Sequence, residues 1–167
     1  MKQILCCAFA LVWFTSSTFA QQDKFTDRLL KNRYELEVQQ GTLLGNGAAV
    51  LKNAINDAQF VLIGEDHGIA QIPQFVGAVC DAFGPLGFHN MAVETGPLVG
   101  SELENWAQGP GGRNSLADFA KKFPETIAFY DYEQEFAMLQ QCARAARPAK
   151  FHVWGLDQEL MGSSGFI

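Results

Sequence analysis

Gln59-Phe60-Val61-Leu62-Ile63-Gly64-Glu65-Asp66-His67-Gly68 is a short apolar run that stops on a glycine and passes directly into two carboxylates and an imidazole. A run of this length bounded by a turn signal reads as a fully buried strand. In open α/β sheets, ligands bind at the carboxyl ends of the strands. Adjacent ionisable side chains are costly to bury without a task. The stretch therefore predicts a first core strand over 59–63 that delivers a site at its end.

The flanking sequence extends the same pattern. Ala48 to Ala58 reads as a helix, with Val50, Leu51, Ala54 and Ile55 on one face and Asn46 as a candidate cap. Ahead of it, residues 23–32 read as a short helix. Tyr34 to Val38 alternates like a strand and can pair back with Thr42 to Leu44 across Gln40-Gly41. Downstream, Pro73 suits the first turn of a helix that carries Phe75, Val76, Val79, Cys80 and Phe83. His89 to Glu94 is the second predicted strand. Strand, helix, strand is a βαβ unit and implies a parallel pair. Helices are expected over 97–108, from Ser115 to Phe123, and over 133–146, and Lys150 to Gly155 is the third strand. The fold expected is α/β: three layers, with a mostly parallel sheet and helices on its faces. No helix follows the third strand, and a parallel sheet is covered on both faces. The expectation is therefore of an incomplete domain, the front part of a longer protein.

Lys2, the apolar run from Ile4 to Phe14 and Thr18-Phe19-Ala20 read as a secretory signal cut near Ala20. Eleven apolar residues are too few to span a bilayer as a helix. The domain reading is a signal over 1–20, a helix and hairpin segment over 21–45, and an α/β domain over 46–167. Export places the protein in the periplasm or outside the cell, touching a membrane only through the signal. Loss of Lys2 makes the formal charge of −6 one unit more negative. No basic patch is present, so a nucleic-acid surface is not expected. After cleavage Cys80 and Cys142 remain. They form either a disulfide or two buried thiols on helix core faces.

Glu65 and His67, two apart in an extended turn, point the same way. A carboxylate beside an imidazole raises its basicity and fixes its tautomer, which suits a general base acting on water. The same pair suits a divalent metal. Asp66 points the other way and reads as a loop or cap residue. Glu94 ends the second strand about one strand spacing, roughly 5 Å, from the first strand's end. There it would join Glu65 and His67 as acid, base or metal ligand. Asp157 and Glu159, past Gly155, are candidates for substrate binding. His89 and His152 begin strands at the far end and read as structural or surface residues.

Phe-Val-Leu-Ile-Gly-Glu-Asp-His-Gly, then Met-Ala-Val-Glu, then Val-Trp-Gly-Leu-Asp-Gln-Glu resembles the erythromycin esterase-like family. That family belongs to a wider group that includes ChaN-like haem-binding proteins and Tiki/TraB-type metalloproteases. The resemblance spans about residues 46–160. It implies hydrolysis of an ester or related acyl bond of a small-molecule substrate. Water would be activated at His67, with Glu65 as partner and Glu94 assisting. Family members are much longer, and their second half supplies further active-site residues. Within the wider group, the alternatives are a haem- or divalent-metal-binding protein using the same loop, or a metal-dependent peptidase.

Overall fold

The computed structural model describes residues 24–64, 66–127 and 129–159. The expected signal over 1–20 and the candidate Glu65 lie outside the described residues. The chain divides into two compact units, up to Glu35 and from Leu36 onward. In the first, a helix over 24–31 (α1) leaves Phe25, Leu29 and Leu30 more than half exposed.

The second unit opens with an antiparallel hairpin, β1 (Glu37–Gln39) and β2 (Thr42–Leu44), in which Val38 faces Leu43. Its two turn residues, Gln40 and Gly41, both have positive φ (50° and 79°). That is what a tight two-residue hairpin turn with the twist of its strands requires. Then come α2 (Asn46–Asn56), α3 (Gln71–Phe83), a 3₁₀ turn (Gly84–Leu86), β3 (Asn90–Val93), α4 (Pro97–Gln108), α5 (Gly112–Lys122), α6 (Glu133–Ala145) and β4 (His152–Gly155). Among the described residues no helix is long and apolar enough to cross a membrane.

Apolar spacing explains the helices. Val99, Leu103 and Ala107 recur every four residues on α4 and are buried, as are Phe136, Leu139 and Ala143 on α6. They meet Val93 and Val153 from the strands, and Phe151 just before β4, in one core. Helix α3 has two apolar sides. Val76 and Cys80 pack toward that core, while Val79 and Phe83 join Ile55 of α2 and Leu43 of the hairpin in a smaller one. A disulfide joins Cys80 of α3 to Cys142 of α6, with Cα atoms 4.9 Å apart. Along the same seam, Gln141 Nε2 donates to Asp81 Oδ2 at 2.6 Å. Gln141 also lies against Gly77, where a Cβ would overlap it.

The expected three-layer, mostly parallel sheet is not what forms. Among the described residues two small sheets form: the antiparallel hairpin and a parallel pair, β3 with β4, in the register Asn90–His152 to Val93–Gly155. Residues 59–63 are not a strand: Phe60 is 82% exposed and Leu62 96%, and only Val61 turns inward to the smaller core. An apolar run becomes a buried strand only when a neighbour takes up its backbone groups and both faces are covered. Here the covering is one-sided. Met91, Val93, Phe151 and Val153 face the helices, whereas Asn90, Ala92 and Trp154 face solvent.

The outer edge of β4 is closed by side chains of α4. Gln108 accepts the Phe151 N–H at 3.3 Å and donates to the Phe151 carbonyl at 3.0 Å, and Glu104 Oε2 accepts the Val153 N–H at 3.1 Å. Four helical residues rise about 6 Å. Two strand residues advance about 6.6 Å. Positions 108, 104 and 100 therefore stay in step with 151, 153 and 155. At the third step there is no room for a side chain: a Cβ on Gly100 would lie 2.8 Å from the Gly155 nitrogen.

Candidate functional site

Three separate segments bring the site together at the carboxyl end of β3. His67 lies in the loop before α3, Glu94 follows Val93 directly, and Phe129 lies between α5 and α6. His67 Nε2 is 3.5 Å from Glu94 Oε2, with the two side chains 38% and 60% exposed. The distance is long for a hydrogen bond. The imidazole lies flat on Phe129, with ring centres 3.6 Å apart and planes 4° apart. Phe129 holds a left-handed φ of 66°. That conformation costs a bulky residue about 1–3 kcal/mol, against which an aromatic stack returns about 0.5–1.5 kcal/mol.

His67 also lines a cavity of about 20 Å³. Asp66, His67, Tyr130 and Glu135 are among the residues that line it, together with Val76 of α3 and Met138 of α6. A cleft of about 320 Å³ opens beside it, lined by Gly68, Ala70, Tyr132, Gln134 and again Glu135.

Of the residues read from the sequence as a site, the structure brings His67 and Glu94 together. Glu65 lies outside the described residues. Asp157 and Glu159 take backbone partners. The Asp157 N–H donates to the Thr95 carbonyl at 3.0 Å, and Asp157 Oδ1 accepts the Gln158 N–H at 2.7 Å. Glu159 Oε1 accepts the Leu98 N–H at 2.6 Å, at the start of α4, where the helix dipole favours a carboxylate. Gly96 makes room for it, since a Cβ there would overlap the Glu159 carboxylate. Sequence reasoning missed Phe129 and Glu135, whose nearness to His67 leaves no local signal.

It also missed Glu104, the most heavily engaged carboxylate at the opposite end of the strand pair. Glu104 Oε1 is 2.7 Å from Lys150 Nζ, and its Oε2 is 3.4 Å from His152 Nδ1, with the side chain 13% exposed. Burial by itself would raise its pKa. The Lys150 hydrogen bond, the Val153 N–H and the charges of Lys150 and His152 outweigh burial and hold it below the usual 4.5. The one signal for this role is the i, i+4 pair Glu104 and Gln108, flanking the apolar stripe of α4.

A structural zinc site uses four protein ligands and a catalytic one three. Among the described residues no group of three His, Cys, Asp or Glu side chains converges. Of the candidate ligands read from the sequence, His67 and Glu94 are the two among the described residues. The chain matches no family model, no curated protein and no solved structure.

Proposed function

We propose that the protein is an exported hydrolase that cleaves an ester or related acyl bond with water activated at His67. The His67–Glu94 pair carries this reading: a base and an acid from distant segments meet at 3.5 Å at the end of a parallel strand, beside an open cleft. His67 takes a proton from water as the oxygen attacks the acyl carbon, then returns it to the departing alkoxide. Glu94 favours the imidazolium that forms in between. The cleft of about 320 Å³ matches the lower range of small-molecule sites, about 300–1,000 Å³. The resemblance to the erythromycin esterase-like family supports the same reaction class. The signal-like segment over 1–20 and the Cys80–Cys142 disulfide both suit an oxidising compartment outside the cytoplasm.

The test is hydrolysis of short-chain p-nitrophenyl esters by the full chain. His67→Ala should lower kcat/KM by about 10²–10⁴-fold. An unchanged rate in His67→Ala would remove the proposal. Activity lost in chelator and restored by zinc or manganese would replace the general base with a metal-bound water.

A further inference from the structure

The cavity that His67 lines is too small for a substrate, and nothing derived so far uses it. Its volume, about 20 Å³, is that of a single water, which needs roughly 10–15 Å³ and two to four polar partners. Four residues with polar side chains line it, from three elements: Asp66 and His67 from the loop before α3, Tyr130 from the loop after α5, and Glu135 from the first turn of α6. Asp66 is exposed and Tyr130 buried, while Glu135 is half-buried on the helix wall. Val76 and Met138 close the apolar sides, each one helical turn before a cysteine of the disulfide that ties α3 to α6.

We infer that this cavity seats one ordered water between the His67 imidazole and the Glu135 carboxylate, which makes Glu135 a positioning residue for the nucleophile. This rests on the proposed hydrolysis. The water gives its proton to His67, its oxygen bonds to the acyl carbon, the acyl–oxygen bond to the alcohol breaks, and His67 protonates the leaving alkoxide. The products are one carboxylic acid and one alcohol. Glu135 takes no proton in this sequence. It accepts the second hydrogen of the water and so aims a lone pair outward. Holding the nucleophile in place replaces a random encounter with a directed one. Glu94 is the other acid facing the ring, and it acts on the imidazole directly. Because the seat is one water in size, it also selects water over larger nucleophiles.

A high-resolution crystal structure of the full chain tests the seat without reference to activity. One water within hydrogen-bond reach of both a His67 ring nitrogen and the Glu135 carboxylate supports the inference. A dry cavity, or a water that touches neither, overturns it. Kinetics then test the role. Glu135→Gln, which keeps the volume, should lower kcat by on the order of 10- to 100-fold with KM unchanged. A change in KM alone would assign Glu135 to substrate binding instead. In aqueous methanol the unmodified protein should release acid only, and Val76→Ala, by enlarging the seat, should also release methyl ester. Methyl ester formed by the unmodified protein would mean the nucleophile comes from bulk solvent. If His67→Ala hydrolyses normally, the proposed function falls, and the crystallographic water still decides the seat.

Discussion

The two ends of the β3–β4 pair use the same residue types in opposite ways. At the amino end of β4, Glu104 is mostly buried, meets Lys150 at 2.7 Å, and accepts a backbone N–H as well. At the carboxyl end of β3, Glu94 is 60% exposed and meets His67 at 3.5 Å. One carboxylate is saturated with partners. The other keeps lone pairs and space in reserve beside a cavity and a cleft. A group fully engaged in holding strands together has nothing left for a substrate, and a group kept available contributes little to folding. Glu104 holds a structural end of the strand pair, and the proposed chemistry is assigned to the other.

The largest expected effect tests the frame both ends share. Replacing Cys80 and Cys142 by serine removes a crosslink across 62 residues, which should cost about 4 kcal/mol in urea unfolding. Because α3 and α6 wall the His67 cavity, hydrolysis should lose heat tolerance in step with that change. Next, Glu104→Ala leaves the Val153 N–H without its acceptor and should cost about 2 kcal/mol while leaving ester hydrolysis unchanged. Lys150→Ala, at an exposed partner, should cost at most about 0.5 kcal/mol. The pH dependence sharpens the same contrast. Glu104 has its pKa lowered in the folded chain, so its stabilisation is present above the usual 4.5 and lost as the pH falls through the lower folded value. Denaturation midpoints should therefore decline as the pH falls from about 4.5 through that lower value, and less steeply in Glu104→Gln than in the unmodified chain. The smallest effect on stability belongs to Glu94→Gln, within about 0.5 kcal/mol by the same unfolding measurement. Its hydrolysis should nonetheless fall. A Glu94→Gln chain that unfolds as readily as Glu104→Ala would erase the distinction between the two ends.

What the sequence made legible follows from range. The four-residue recurrence of Val99, Leu103 and Ala107, and the Pro and Gly residues around the helices, are local signals, and the helices form where they point. The run 59–63 carries its own apolarity but not its partner. Whether such a run becomes a strand depends on chain that lies elsewhere, so Phe60 and Leu62 end exposed rather than buried. His67 and Glu94 were readable as candidates because each follows a punctuated apolar run. Phe129 was not, because its stack on His67 joins segments far apart in sequence and its left-handed φ has no glycine to announce it. Glu104 and Gln108 look like an ordinary solvated i, i+4 pair. Only their step match to Phe151, just before β4, and Val153 within it shows that they face a strand.

That step match limits how molecules of this kind can associate. A bare strand edge is a template on which further chains add, copy after copy. Gln108 already occupies the outward N–H and carbonyl of Phe151, and Glu104 the N–H of Val153, so a strand could pair along β4 only by displacing them. A strand joining this sheet without that displacement must do so beside β3. Two copies that met there would each present a sealed far edge, and assembly through the sheet would end at a pair rather than run on into a fibre.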